Sequence, residues 1–215
     1  MTIIHMDTRD DDAIIRSDYT TLLPRPRPPS IQRLHVQIDT HTVSPGSLWK
    51  IWDAIQKNVI LTDQDVLLDW GCNTGILLAS KQFFSPFPHI RSIGVEKRHD
   101  VFEYSMQNLR SLGTTNTQII HADSSTVQSW DPATIVLHYD GGSRMQNSMY
   151  RTIMSTLFRT KTVRVVFTLR LNIALFRSYF DDSEDIHKWR VVRLYGLTFH
   201  KSKRRVGYLW VRIKY

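Results

Sequence analysis

Cysteine is almost absent from this chain: Cys72 is the only one in 215 residues. No intramolecular disulfide and no multi-cysteine zinc site can form, and a reducing compartment is the expectation. Long apolar runs are missing too, none approaching the roughly 20 residues that cross a bilayer. The start, MTIIHMDTRDDD, has neither the basic region nor the apolar stretch of a signal peptide, so a soluble protein without a membrane partner is expected. Neither GK[ST] nor GxGxxG occurs, which sets aside a phosphate loop and the dinucleotide fingerprint. No repeat and no metal-binding constellation stand out. What is present is a folding composition: 41% hydrophobic, 11% aromatic and 22% charged residues. That excludes collagen-like, low-complexity and wholly disordered chains.

Acidic residues are scarce where basic ones are plentiful. Residues 1–140 carry 12 basic and 16 acidic side chains, net −4, and residues 141–215 carry 16 and 4, net +12, which together make the formal +8 of the whole chain. Such asymmetry suggests a polyanionic partner for the C-terminal part, either nucleic acid or a protein assembled on it. The plain alternative is a solvated basic surface that aids solubility.

Residues 1–30 read as a flexible acidic and proline-rich tail, from Asp7, Asp10, Asp11 and Asp12 to LLPRPRPPS, whose prolines forbid helix. Residues 31–215 read as a single domain. IQRLHVQI at 31–38 alternates as an edge strand or extended arm would. Ser47 to Val59 places Leu48, Ile51, Trp52, Ile55 and Val59 on one helical face behind Pro45. Short apolar runs then alternate with amphipathic ones. VLLDW, IRSIGVE, TQIIHAD, ATIVLHYD and KTVRVVFTLR read as strands, with TGILLASKQFF, VFEYSMQNLRSLG (closed by Gly113) and SRMQNSMYRTIMSTLF as helices between them. This pattern predicts an α/β fold with a mostly parallel sheet covered on both faces. After the helix LNIALFRSYF, WRVVRLYGLTF and VGYLWVRIKY read as an antiparallel hairpin at one sheet edge, turning through HKSKRR.

In an open parallel sheet the ligand lies beyond the carboxyl ends of the strands, so the strand ends carry the chemistry. The first ends in Asp69-Trp70-Gly71-Cys72-Asn73-Thr74-Gly75, a turn that opens into a helix and lets a ligand approach the backbone. Asn73, between the glycines, tolerates left-handed geometry. The second strand ends in Glu96, where a carboxylate can accept both hydroxyls of a ribose, with Lys97 beside it. The third ends in Ala122-Asp123-Ser124 and the fourth in His138-Tyr139-Asp140-Gly141-Gly142. One such acid is more often a turn former or a cap. Recurrence at consecutive strand ends, together with the glycine-rich turn, favours a ligand site.

These residues resemble the class I S-adenosylmethionine-dependent methyltransferases, whose first motif is Asp-x-Gly-x-Gly-x-Gly and whose second is a strand-terminal acid. The resemblance covers about residues 46–215 and implies a Rossmann-like seven-stranded sheet with a C-terminal antiparallel hairpin, and S-adenosyl-L-methionine as cofactor. It places Asp69 near the cofactor's ammonium, Gly71, Asn73 and Gly75 near its methionine and ribose parts, Glu96 on the ribose hydroxyls, and Asp123 with Ser124 at the adenine; Lys97 joins this cofactor-binding set. Asn73 departs from the motif's middle glycine.

The acceptor is read from the residues after the fourth strand. Asp140-Gly141-Gly142-Ser143 is not the Asn/Asp-Pro-Pro-aromatic of exocyclic-amine methyltransferases, and Cys72 lies in the wrong loop for cytosine C5 methylation. The preferred expectation is a histone-type lysine on nucleosomes, in a nuclear or otherwise cytoplasmic protein. It rests on a resemblance to the histone-lysine methyltransferases that lack a SET domain, through Thr42 to Ser47, Leu194 to Thr198 and Val206 to Trp210. In that reading Tyr139, Tyr195 or Phe199 lines a lysine channel. The Tyr-Gly-Glu loop and the Asn-Asn-Phe of that group are unmatched. The alternative is a 2′-O-ribose RNA methyltransferase, similar in Lys50, Asp140 and Arg170 but lacking the last-strand Glu; an arginine is a poor base at neutral pH. Asp140, Tyr139 and Arg170 are the candidate catalytic residues. A catalytically weak nucleic-acid-binding module of the same fold is the non-enzymatic reading. Lys50 lies opposite the apolar helical face and reads as solvated. His121 and His138 read as core or packing residues, and the six tryptophans as packing anchors.

Overall fold

The computed structural model of the chain describes residues 43–139, 147–180, 188–198 and 205–213. The tail, the 31–38 arm, Asp140 to Gly142, Phe199 and His200 to Arg204 of the basic turn lie outside the described residues.

Helix α1 (Pro45–Asn58) starts where Ser44 caps it, the Ser47 amide donating to Ser44 Oγ at 3.2 Å, and Pro45 presets its first turn. It buries Leu48, Ile51, Trp52 and Ile55, the face the spacing predicts. Next come β1 (Val66–Trp70), α2 (Ile76–Phe84), β2 (Arg91–Glu96), α3 (His99–Ser111), β3 (Thr117–His121), a short 3₁₀ turn at Ser124–Thr126, β4 (Ile135–Leu137), α4 (Asn147–Arg159), β5 (Val165–Thr168), α5 (Ile173–Phe180), β6 (Trp189–Leu197) and β7 (Arg205–Arg212). They form one seven-stranded sheet in the order β3-β2-β1-β4-β5-β7-β6, parallel except for β7, which runs antiparallel to β5 and β6. The α/β fold with its C-terminal hairpin is as the sequence predicts.

Side chains alternate across the pleat. Leu67, Ile135 and Phe167 pack with α1, α2 and α3, whereas Val66, Leu68, Val136 and Val166 pack with α4 and α5 on the other face. Phe158 centres the second layer, its ring 4.9 Å from Phe176 and 4.5 Å from Trp189, both edge-on. Trp70, Trp130, Trp189 and Trp210 are buried in this layer and Trp52 in the other, as expected of packing anchors, while Trp49 is only half-buried.

Buried charge at the amino-terminal edge of the sheet is matched. Asp65 accepts from Arg164 Nη2 at 2.6 Å, Thr134 Oγ1 at 2.7 Å and the Thr62 amide at 2.8 Å. Arg190 donates to Asn58 O at the end of α1, and Arg212 to Phe158 O and Thr160 O at the end of α4. The buried Lys81 donates to the carbonyls of Ile90, Thr115 and Asn116, tying α2 to the start of β2. Part of the C-terminal cationic excess is therefore internal fastening rather than a free basic surface.

For His121 the core reading fails and the packing one holds. His121 is exposed, because β3 is an edge strand that buries only Ile119; the ring lies 5.2 Å from His99 and 5.3 Å from Phe102. Lys50 is exposed, as expected, and its ammonium donates to Gly196 O at 3.1 Å.

Candidate active site

Chain order reverses between β1 and β4, and a cavity of about 590 Å³ opens there at the carboxyl ends of the strands, within the roughly 300–1,000 Å³ common for ligand pockets. Asp69, Gly71, Asn73, Glu96, Lys97, Asp123, Ser124 and Tyr139 all line it. Of the candidate residues, Asp140 lies outside the described set. Arg170 is not among the lining residues; its guanidinium stacks 4.8 Å over Tyr150.

The turn after β1 is built from left-handed residues: Gly71 at φ 70°, Asn73 at 45° and Gly75 at 75°. Only glycine takes such angles without strain, and asparagine comes next. Gly71 and Cys72 both donate their amides to Val95 O, at 2.7 and 3.0 Å, and Asn108 Nδ2 donates to Thr74 O at 2.6 Å. Gly75 does not line the cavity. It starts α2, and a Cβ there would meet Leu109 Cγ at 3.0 Å, so its freedom serves packing.

Glu96 is held from two sides. Its Oε2 accepts from the Asn73 amide at 3.1 Å and its Oε1 from the Arg98 amide at 3.0 Å, leaving lone pairs for hydroxyl donors. Asp123 is more fully engaged, accepting Lys97 Nζ at 2.7 Å and both the amide and hydroxyl of Ser125. The Lys97 ammonium and the Ser125 donors lower its pKa to about 2.

Asp69 is different. It is 2% exposed, and its Oδ1 has no hydrogen-bond partner among the described residues. Burial, then the neighbouring Glu96 carboxylate, pushes its pKa well above the usual range. A buried carboxyl without a partner facing a cavity is what a ligand's cationic group would satisfy. Burial, Asp69 and Glu96 likewise raise the Cys72 thiol, which sits in an acidic, desolvated turn. The acceptor set thus fits S-adenosylmethionine: an orphaned acid for an ammonium and a positioned acid for ribose hydroxyls.

Sequence reasoning missed part of the lining. His138, expected as packing, does stack on Trp70, with ring centroids 3.5 Å apart, but both residues also line the cavity. Its signal was a polar ring at the end of an apolar strand, two residues before Asp140. Val43, Met149 and Ile153 also line it and carried no chemical signal. Tyr195 is 40% exposed on β6 and does not line the cavity. Among the described residues no cluster of metal-ligating side chains occurs, and no helix is long and apolar enough to cross a membrane.

This fold is that of the S-adenosylmethionine-dependent methyltransferases. An O-methyltransferase of that class from Thermotoga maritima superposes with a TM-score of 0.59 at 12% identity, over 87% of this chain and 72% of its own. An S-adenosylmethionine-dependent methyltransferase from Clostridium acetobutylicum gives 0.57 at 9% identity, over 83% and 94%. An rRNA methylase from Streptococcus thermophilus gives 0.52 at 12% identity, over 76% and 95%. No protein-family model matches the chain, and no curated protein sequence does.

Proposed function

We propose that the protein is an S-adenosylmethionine-dependent methyltransferase. The observation that carries this is the unpartnered, buried Asp69 beside the backbone-held Glu96, at the switch point of a sheet with methyltransferase topology. Bound there, the cofactor supplies a methyl group already activated by a sulfonium. Asp69 receives the ammonium, Glu96 the ribose hydroxyls, and Asp123 with Lys97 and Ser124 borders the adenine end. Tyr139 faces the acceptor side, where the protein's task is alignment and the removal of a proton.

For the acceptor we propose a macromolecule, a histone-type lysine on nucleosomes before an RNA ribose. Tyr139 lines the cavity as an aromatic wall. Lys50, committed to Gly196 O, and Arg170, stacked on Tyr150, do not line it, which counts against the ribose reading. The test is transfer of a labelled methyl group to nucleosomes and total RNA, with Asp69→Ala as control. Protease-released label supports the lysine acceptor, ribonuclease-released label overturns it, and no label on either substrate sinks the macromolecular reading. A melting shift with S-adenosylhomocysteine tests the cofactor site alone, since a ligand at a hundredfold its Kd stabilises by about 2.7 kcal/mol.

A further inference from the structure

The turn that carries Gly71 and Asn73 begins at a carbonyl, Trp70 O, which stands where β1 and β4 part. The β1–β4 pairing runs through Leu67 with Ile135 and Leu68 with Val136 and extends no further. Beyond it the backbone amide of His138 continues the β4–β5 ladder, donating to Phe167 O at 2.9 Å, and so is not available to β1. The imidazole does the opposite: His138 Nδ1 lies 2.9 Å from Trp70 O. A carbonyl can only accept, so Nδ1 carries the hydrogen, in the neutral and in the protonated ring alike. The same ring lies flat on the Trp70 indole, at 11° between planes. One side chain thus grips both the carbonyl and the ring of the residue that enters the turn. On the far side the turn is held by Val95 O and by Glu96 Oε2.

We infer that His138 is a positioning residue of the ligand site: its Nδ1–H replaces the missing β1–β4 ladder bond and fixes Trp70 O, and with it the ligand-facing turn from Gly71 to Asn73. The contribution is a hydrogen bond from a buried ring to a backbone atom, and its donor is present whether the ring is neutral or protonated. This inference rests on the proposed cofactor site.

Three substitutions separate bond from stack. His138→Asn keeps a donor nitrogen at the Nδ1 position without the ring, His138→Phe keeps a flat ring without the donor, and His138→Ala has neither. Calorimetric titration of each folded protein with S-adenosylhomocysteine gives the affinity without turnover. The expectation is near wild-type affinity for His138→Asn and about tenfold weaker binding for His138→Phe and His138→Ala, the size of one hydrogen bond. Melting of each unliganded variant separates a loss of fold from a loss of positioning. Wild-type affinity in His138→Phe, or weak binding in a folded His138→Asn, overturns the inference and leaves the cofactor site standing. No binding by the wild-type protein overturns the cofactor reading, and the inference with it.

Discussion

Asp65 and Asp69 stand four residues apart at the two ends of one strand, 3% and 2% exposed, and they have opposite fates. At the amino-terminal edge, burial pushes Asp65 up, but the bonds from Arg164, Thr62 and Thr134 outweigh it and its pKa falls below the usual range. At the carboxyl edge, burial and Glu96 both push Asp69 up, and no cation among the described residues answers. The lesson is one of location: at similar solvent exposure the same side chain is a fastener where the chain supplies its partner, and where it does not it is left open to the cationic group proposed above.

The largest effect should come from breaking the fastened end. Arg164→Met leaves Asp65 buried without its cation and is expected to cost about 3 kcal/mol in chemical denaturation, with the transition still cooperative. Asp69→Asn should behave in reverse, changing the stability of the empty protein by less than about 1 kcal/mol while weakening S-adenosylhomocysteine binding more than about tenfold. Equal destabilisation by the two variants would erase the contrast.

Protonation sharpens the same comparison. Asp65 has a lowered pKa, so its contribution is present above the ordinary value of 3.8 and is lost as pH falls through its folded value. Asp69 has a raised pKa, so the folded state holds a proton that the unfolded state has released; its contribution is lost as pH rises through the folded value. An ammonium arriving at Asp69 competes with that proton. Titrations in buffers of different ionisation enthalpy should therefore show proton release from the carboxyl on binding, and the release should vanish in Asp69→Asn. Release that persists in that variant would assign it to another group.

The smallest effect concerns the turn itself. Asn73→Gly relieves a left-handed residue whose amide donates to Glu96, a bond that glycine keeps, so the stability of the empty protein should rise by up to about 1 kcal/mol. A melting curve without ligand decides it.

Much of this architecture was legible because its signals are local. The alternation of VLLDW, IRSIGVE and ATIVLHYD with amphipathic helices reports burial at every residue, and the Asp69-to-Gly75 turn needs left-handed angles that few residues take. The acids at strand ends could be placed in one cavity because topology alone brings parallel strand ends together. What stayed hidden depends on partners far apart in sequence. Nothing near His138 announces that its ring meets Trp70 O, and nothing near Arg170 says that Tyr150 engages it outside the cavity. The basic count misled in the same way, since Arg164, Arg190 and Arg212 look like surface charge until the helix ends and the carboxylate they serve are seen.

Gly94 of β2 passes so close to the turn that a side chain there would strike Cys72 Sγ at 2.8 Å, which shows how tightly the single thiol is enclosed. Buried, and with its pKa raised, it cannot meet an alkylating reagent while the turn is closed. The chain thereby carries its own clock: the rate at which Cys72 is labelled counts how often the turn comes open, and a ligand that locks the turn should slow that count without any engineered probe.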